Sequence, residues 1–543
     1  MAQPTYRASL LPPPEMYFAP YGFAVSPDGE RLAFVGLTAD GSEALWVRSL
    51  NARTAQQLNG TQGASYPFWA PDSRRIGFFA EGSLKIVDTS GSAVQILAAA
   101  QSARGGAWNE QGTIVFSPSP DGPLFSISDR GGTPSPVTQV VPQSGKAHGW
   151  PSFLPDGRHF FYFQEWGLHD PQRPDGIYVA SLDGVEAKLV SAELTGSVVF
   201  ASGHLLYRYE RSLLARPFDV GALEFSGPPL LVLDQELDQD RALGRSNFSI
   251  SSTGVIVFQS VADAASELIW YGPDGVEQSR FPESAARDLR FSPDGRFLAV
   301  TFADLSNGKF FIRVHDLARG IATQLTQGGN DAFPTWSPDG RKIAYGAQSP
   351  GGVVNEISAD GSGEPVLLFE GPHVIPNHYS PDGRSLVYMT FEHGRPQLAV
   401  YDRTEGTHVV IGRGAEAQFS PDGKWLASLA YDGRPAIVVQ PFPVTGSRIQ
   451  ISEGGAQPSW SHDGKKLLFM ARDRKLMQAS IDVSGGELRP GAPEILLQTH
   501  VTAANFTAIP QYAVTRDGRF LVNSLRSEAP LTLVMNWPEL LRK

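Results

Sequence analysis

A short turn sequence, Ser-Pro-Asp-Gly, recurs along this 543-residue chain and constrains its fold more than any other feature. Copies lie between two short runs of apolar and aromatic residues, as in FAVSPDGERLAFVG at residues 23–36. Proline presets φ at the second turn position, and glycine accepts the positive φ from which the next strand starts. The sequence therefore predicts a β-hairpin at each copy. Clear copies begin at Ser26, Ser292, Ser337, Ser380 and Ser420, and weaker ones begin at Ala70, Leu154, Ser461 and Thr515.

The spacing of these turns predicts a repeat protein. From Asp294 to Asp463, the turn aspartates recur every roughly 40 to 45 residues, which is the length of a four-stranded propeller blade. In the first half, hairpins without the proline, such as residues 107–117 and 249–260, fill the longer intervals. The pattern predicts an all-β tandem β-propeller of twelve four-stranded blades. We expect two six-bladed rings, because single rings commonly hold about 4–8 blades.

The boundary between the two rings is predicted near the middle of the chain. We assign residues 1–265 to the first propeller and residues 266–543 to the second. Two apolar strands near the chain ends, at residues 5–12 and 531–537, lack partners in their own repeats. Their pairing would hide two open edges, so the C-terminal segment 528–543 is a candidate for completing the first ring.

Composition excludes several classes of function. The net charge of −11 argues against a nucleic-acid partner, and the lack of a long apolar stretch argues against insertion into a membrane. The absence of cysteine removes thiolate metal sites and cysteine nucleophiles. The N-terminal sequence does not have the pattern of a secretory signal. As written, the chain is expected to be cytoplasmic; as a fragment of a membrane-anchored protein it would be extracytoplasmic.

Longer strings of sequence carry a family resemblance. The repeat core (F/W)SPDG(R/K)x(L/I)A(F/Y) resembles the propeller repeats of the periplasmic protein TolB and of prolyl-oligopeptidase-type proteases. The strings at residues 64–88, 105–118, 150–163 and 213–219 are similar to the C-terminal, sensor-like propeller region of bacterial transmembrane serine/threonine kinases. This resemblance implies the propeller fold and a role in sensing or interaction. It does not imply kinase activity, because the GxGxxG, HRD and DFG motifs are absent.

The sequence favours a binding protein over an enzyme. It lacks the GxSxG nucleophile elbow of hydrolases, the HExxH zinc motif, the phosphate-binding loop and the calcium-binding EF-hand loop. We therefore expect a tandem propeller that binds a protein, peptide, small molecule or glycan. The alternative is a metal-assisted carbohydrate lyase or hydrolase with its site in one propeller mouth. Manganese-dependent oligogalacturonate lyases resemble such a protein in fold only.

Candidate site residues lie just before the predicted inner strands, at the end of each blade opposite the Ser-Pro-Asp-Gly turn. In the first ring they are cationic and aromatic, which suits an anionic or sugar-like ligand. These residues are Tyr66, Arg104, His148, Trp150 and Arg245. In the second ring they are mostly acidic, which suits a cation. These residues are Asp288, Asp331, His378, Glu416 and Gln457. The other interpretation is that both sets cap strand ends and bind loop backbone.

Two possible metal sites follow from the same positions. His373, His378, Asp331 and Glu416 have the ligand types of a divalent cation, either calcium or manganese. The acidic segment at residues 234–241 is either a calcium site or, as we favour, a solvated loop. Otherwise no cofactor is expected.

The tryptophans recur in register with the turns. Trp69, Trp108, Trp336 and Trp460 each directly precede a hairpin turn. Repetition in register predicts packing between blades and not stacking on a ligand. The turn aspartates are likewise predicted to be structural.

Overall fold

The computed structural model describes residues 4–38, 41–91, 93–119, 122–140, 147–165, 174–234, 237, 239–240, 244–260, 266–284, 286–304, 309–347, 352–392, 395–431, 435–483, 487–501, 510–526 and 529–542. The chain forms two compact units. Unit 1 comprises Met1–Ala264 and Arg526–Lys543, and unit 2 comprises Ala265–Leu525. Within the described ranges, no helix is long and apolar enough to cross a membrane.

Unit 1 contains six antiparallel sheets of four main strands within its described residues, which we name sheets A to F and list from the inner strand outward. Sheet A comprises Met16–Val25, Arg31–Thr38, Glu43–Ser49 and Gln56–Gln57. Sheet B comprises Ser65–Trp69, Arg75–Ala80, Ser83–Asp88 and Gln95–Ala99. Sheet C comprises Gly106–Trp108, Thr113–Phe116, Phe125–Ser128 and Ser135–Pro136. Sheet D comprises Ala147–Phe153, His159–Glu165, Gly176–Ser181 and Gly184–Ser191.

The last two sheets of unit 1 have additional features. Sheet E comprises Val198–Ala201, His204–Tyr209, Ser212–Asp219 and Leu230–Leu233, with the short strand Glu224–Phe225 beside it. Sheet F comprises Phe248–Ile250, Val255–Phe258, Leu531–Met535 and Tyr6–Leu10. The C-terminal strand of the chain therefore lies between the N-terminal strand and the hairpin at residues 248–258. A two-stranded pair, Gln239–Asp240 with Arg245–Ser246, and a 3-10 helix, Trp537–Arg542, complete the unit.

Unit 2 also contains six sheets within its described residues, named G to L in the same way. Sheet G comprises Tyr512–Val514, Phe520–Ser524, Glu267–Tyr271 and Glu277–Ser284. Sheet H comprises Ala286–Phe291, Phe297–Asp304, Lys309–Asp316 and Ile321–Gln324. Sheet I comprises Asp331–Trp336, Lys342–Ala347, Val353–Ser358 and Val366–Glu370.

Sheets J and K share one long strand, Thr407–Phe419, which is outer in sheet J and inner in sheet K. The other strands of sheet J are Ile375–Tyr379, Ser385–Glu392 and Arg395–Asp402. The other strands of sheet K are Trp425–Ala430, Ala436–Pro441 and Ile449–Ser452. Sheet L comprises Ala456–Trp460, Lys466–Met470, Lys475–Asp482 and Glu494–Gln498, with Arg489–Pro490 beside it. The predicted all-β propeller fold of antiparallel four-stranded sheets is confirmed.

The inner strands of each unit close a ring. In unit 1, neighbouring inner strands contact one another from sheet A through sheet F and back to sheet A. In unit 2 the contacts run from sheet G through sheet L. Hydrogen bonds join sheets L and G: Gln511 N–H donates to Gln457 Oε1 at 2.9 Å, and the Tyr512 hydroxyl donates to Gln457 O at 2.7 Å.

The hydrophobic core lies between neighbouring sheets. Leu45, Ile76 and Phe78 are fully buried between sheets A and B. Ile312 and Ile343 are fully buried between sheets H and I. Apolar side chains fill the layers between sheets, so the core does not depend on the side chains at the ring centre. Polar residues can therefore occupy the ring centre.

The Ser-Pro-Asp-Gly turns are held by local hydrogen bonds. In the copy at residues 380–383, Ser380 Oγ donates to Asp382 Oδ1 at 2.5 Å, and Arg384 N–H donates to the same oxygen at 3.1 Å. Ser385 N–H in turn donates to Ser380 Oγ at 2.9 Å, and Gly383 has a φ of 72°. The serine hydroxyl is the largest cause of a lowered pKa of Asp382. The aspartates are structural, as predicted.

Replacing Asp382 with Ala is expected to destabilise unit 2 by about 1 kcal/mol, because two local hydrogen bonds to the carboxylate are lost. Urea unfolding at neutral pH checks this value. Since the pKa of Asp382 is lowered in the folded chain, the difference from wild type should shrink as the carboxylate is protonated in acid. Asp382→Asn, which keeps a side-chain acceptor, is the control. Equal stability of the Ala variant and wild type would show that the turn does not depend on this carboxylate.

The tryptophans lie between neighbouring sheets, which confirms the packing interpretation. The indole N–H groups of three of them donate to backbone carbonyls on the inner strand of the preceding sheet. The pairs are Trp69 to Ala24 O at 2.9 Å, Trp336 to Arg290 O at 3.0 Å, and Trp460 to Gln418 O at 3.2 Å. Trp108 instead packs under the guanidinium of Arg75, with 4.6 Å between Cζ and the ring centroid.

Candidate functional site

Six of the twelve inner strands in the described residues carry a β-bulge in which the residue four positions before the turn has a positive φ. In unit 1 the bulged residues include Tyr66 and Trp150, with φ values of 49° and 54°. In unit 2 they include Asp288, Glu416 and Gln457, with φ values of 55°, 56° and 59°. A positive φ is costly for bulky side chains, and such strained positions cluster at functional sites.

The position of these residues corrects the sequence analysis. They were expected in loops before the inner strands, whereas Tyr66, Trp150, Asp288, Glu416 and Gln457 lie inside them. A bulge interrupts the apolar alternation by which a strand is recognised in sequence, so the predicted strand starts came too late.

Three of the first-ring residues meet at the centre of unit 1. The rings of Tyr66 and Trp150 are in edge-to-face contact, with 5.2 Å between centroids. Arg245 Cζ lies 4.8 Å from the Tyr66 centroid and 5.1 Å from the Trp150 centroid. These residues come from sheet B, from sheet D and from the strand just before sheet F. Because these sheets are not neighbours in the ring, their contact places the cluster across the central channel.

Arg104 lies beside this cluster. Its backbone carbonyl accepts a hydrogen bond from Trp150 N–H at 2.8 Å. Gly105 has a φ of 83°, and a Cβ on it would lie 2.7 Å from Trp150 Cε3. Only glycine therefore allows the indole to approach this backbone. Two arginines and two aromatic rings from the predicted set are thus brought together.

His148 does not belong to the channel cluster. It is 1% exposed, and its ring packs on Tyr162 with 4.6 Å between centroids. Its Nδ1 lies 2.8 Å from Thr138 Oγ1, and its Nε2 lies 3.0 Å from Gln164 Oε1. With both ring nitrogens bonded inside the protein, His148 is a structural residue.

In unit 2, several site candidates bridge neighbouring inner strands. Each side-chain oxygen accepts a backbone N–H from the next sheet. The pairs are Asp288 Oδ2 with Phe333 N at 3.4 Å, Glu416 Oε2 with Gln457 N at 2.5 Å, and Gln457 Oε1 with Gln511 N at 2.9 Å. Asn377, which was not a candidate, accepts the same kind of bond at its Oδ1 from Ala417 N at 3.2 Å. These hydrogen bonds agree with the other interpretation of the sequence, that such residues bind backbone.

Asp331 also bonds to backbone. It is 5% exposed, and its carboxylate accepts hydrogen bonds from the Thr326 hydroxyl and from the backbone N–H groups of Gly328 and Gly329. Burial raises the pKa of Asp331, and these hydrogen bonds partly offset that effect. The residue thus stabilises the loop that enters sheet I.

The predicted metal set is not assembled. Within the described residues, no group of three His, Cys, Asp or Glu side chains is arranged to hold a metal ion. His373 is exposed and contacts Phe391, whereas Asp331 is committed to its own loop. His378 and Glu416 remain near the channel without the other two ligands. In the acidic segment, Glu236 and Asp238 lie outside the described residues.

Titratable groups nevertheless converge at the centre of unit 2. Burial raises the pKa of Glu416 to about 7 and raises the pKa of Asp288. Burial, together with the positive charge of Arg290, lowers the pKa of His378 to about 3. Arg290 also acts electrostatically on Asp288, Glu416 and Tyr512. Because sheets H and K lie on opposite sides of the ring, these interactions cross the channel.

Sequence analysis missed Arg290 and Tyr512. Arg290 stands two residues before the turn serine Ser292, the position that His378 holds relative to Ser380. Residues at the same distance before each turn occupy equivalent positions on their inner strands, and side chains two residues apart on a strand share a face. A comparison of these positions with His378 would therefore have identified Arg290. Tyr512 follows a segment without a clear repeat and carries no such signal.

Comparisons with known proteins find similarity to TolB over part of the chain. No protein-family model matches the chain. A TolB homologue from Chlorobium chlorochromatii is 29% identical over 147 residues, which are 25% of this chain and 31% of that protein. The chain thus matches about a third of the length of this curated relative.

Solved structures of TolB are also similar. A TolB structure from Agrobacterium tumefaciens is 19% identical and covers 48% of this chain and 97% of its own, with a TM-score of 0.36. TolB from Acinetobacter baumannii is 15% identical and covers 63% of this chain and 81% of its own, with a TM-score of 0.33. The propeller assignment rests on the sheet topology and the closed rings.

Proposed function

We propose that this protein is a non-enzymatic tandem β-propeller that binds a protein, peptide or glycan ligand, as a sensor or scaffold. The observation that carries the proposal is the cluster of Tyr66, Trp150 and Arg245 across the channel of unit 1. Aromatic faces stack on sugar rings and apolar groups, and the arginine attracts an anionic group. The cluster is therefore suited to an anionic or sugar-like ligand.

The resemblance of long sequence strings to the sensor-like propeller region of membrane kinases supports a sensing role. In that arrangement, ligand binding by the propeller would be the input to a partner or to another domain. No observation favours the metal-assisted lyase or hydrolase, and we do not propose it.

A thermal-shift screen against glycans, short peptides and small anions tests this function. We expect at least one compound to raise the unfolding temperature of unit 1, because a ligand that binds only the folded state stabilises it. Arg245→Gln should weaken binding of that compound about tenfold or more by removing the charge over both rings.

The matched control is Arg74→Gln, which makes the same charge change in the exposed turn of sheet B. It should leave the shift unchanged. A stabilising compound whose effect is the same in both variants would contradict the unit 1 site, as would a complete absence of stabilising compounds.

A further inference from the structure

The central channel of unit 2 holds an arginine that forms no ion pair within the described residues. Arg290 is on the inner strand of sheet H and is largely buried. Its guanidinium makes a long hydrogen bond, 3.5 Å, from Nη1 to Leu289 O, and no carboxylate of the described residues forms an ion pair with it. Arg403 in the same unit, by contrast, pairs with the buried Glu356 at 2.8 Å. A largely buried arginine that lacks an ion pair is costly unless something else compensates its charge.

The nearest carboxyl groups are committed elsewhere. One oxygen of Asp288 and one of Glu416 accept backbone N–H groups from the neighbouring inner strands, at 3.4 Å and 2.5 Å. The second oxygen of Asp288, a residue that is only 2% exposed, has no hydrogen-bond partner within the described part of the chain. His378 Nδ1 is buried and lacks a partner in the same sense. Buried polar atoms without partners are rare in folded proteins, and they indicate a missing ligand or water.

The charge state of the channel favours an anion. Burial raises the pKa of Asp288, and it brings that of Glu416 to about 7, so Glu416 binds a proton readily near neutral pH. His378 is neutral there, because its pKa is about 3, whereas arginine remains charged. A protonated carboxyl group donates a hydrogen bond. The channel therefore offers one cation and, near neutral pH, a Glu416 carboxyl group that can donate a hydrogen bond.

We propose that the central channel of unit 2 binds the carboxylate group of a ligand, which pairs with Arg290 and lies beside Asp288 Oδ1 and His378 Nδ1. Guanidinium and carboxylate form the bidentate pair that best matches the planar arginine side chain. The proposed ligand is thus an anion, whereas the acidic residues in the sequence suggested a cation. The proposed site shares no residues with the unit 1 site and is proposed for a different ligand.

Binding should depend on pH through Glu416. The charged and titratable groups that interact with this side chain are Arg290, Tyr431 and Tyr512. Asp288 and His378 interact with Arg290. A bound carboxylate repels an ionised Glu416, so affinity should fall as pH rises through about 7. Glu416→Gln, which keeps a side-chain oxygen for Gln457 N–H, should remove this dependence.

Isothermal titration of the full chain with three probes tests the proposal. The probes are N-acetyl-trialanine, its C-terminal amide and propionate, each at pH 6 and pH 8. We expect the peptide acid to bind, the amide not to bind, and affinity to be higher at pH 6. Propionate binding as tight as that of the peptide acid would assign the site to free small acids, and weaker binding would assign it to a peptide C-terminus.

Variants separate the site from general effects. Arg290→Met should reduce affinity about tenfold or more, and Arg290→Lys, which keeps the charge, should lose less. Arg296→Gln, an exposed arginine in the turn of the same sheet, is the matched control and should bind as wild type does. Equal binding of acid and amide, unchanged binding by a folded Arg290→Met, or no binding of either acid would overturn the proposal.

Discussion

Removal of residues 526–543 is expected to unfold unit 1 while unit 2 stays folded. The strand Leu531–Met535 is the third of the four strands of sheet F, where Leu533 pairs with Ala8 on one side and Val257 on the other. Its loss exposes both neighbours and removes Leu531 and Trp537, which are fully buried. Each large buried side chain contributes about 2–5 kcal/mol, and whole domains are stable by only about 5–15 kcal/mol.

Calorimetry of the full and truncated chains measures this effect. The truncated chain should lose the unfolding transition of unit 1 and keep that of unit 2, because the described strands of unit 2 end before residue 526. A synthetic peptide of residues 526–543 should restore the lost transition, and the same peptide with Leu533→Asp should not. Retention of both transitions after truncation would show that unit 1 does not need its C-terminal strand.

Glu416→Gln is expected to stabilise unit 2 above pH 7 by about 3 kcal/mol relative to wild type. Burial raises the pKa of Glu416 from 4.5 in the unfolded chain to about 7 in the folded one. The folded state therefore binds the proton more tightly, and the stability that this provides is present below pH 4.5 and lost as pH rises through 7. The glutamine is neutral at every pH and keeps an acceptor for Gln457 N–H.

Chemical unfolding of wild type and variant between pH 4 and pH 9 gives the two stability curves. The wild-type curve should fall between about pH 4.5 and pH 7 relative to that of the variant, and the two should run parallel elsewhere. Glu405→Gln, in the exposed turn of sheet J, is the control and should show no such difference. Parallel curves for wild type and Glu416→Gln over the whole range would show that the carboxyl group is not desolvated.

The fold could be predicted because its information is local. The hydrogen bonds from Ser380 and to Asp382 lie within a few residues of the turn, so a short sequence specifies the hairpin wherever it occurs. Trp336 recurs in register with the turns, and this register predicted its packing between neighbouring sheets, where its indole N–H donates to Arg290 O. Because such repeats recur at a regular interval, a propeller fold can be predicted from a single sequence.

The candidate site was only partly predictable, because it depends on contacts across the ring. The residue types at Tyr66, Trp150 and Arg245 suggested a site, but only the structure shows that they touch. His148 was expected beside these residues, but its ring nitrogens bond to Thr138 and to Gln164, which pairs with it on the adjacent strand. The sequence offers no signal for the contacts across the ring, since they depend on how non-adjacent strands come together.

The central claim is that ligands bind at the channel centres and not at the Ser-Pro-Asp-Gly turns. Hydrogen exchange tests this claim by comparing the wild-type protein with and without the strongest stabilising compound from the screen. We predict slower exchange at the inner strands, in Ser65–Trp69 and Ala147–Phe153 for a unit 1 ligand or in Ala286–Phe291 and Thr407–Phe419 for a unit 2 ligand. Protection confined to the turns, such as residues 26–29 and 380–383, would contradict it.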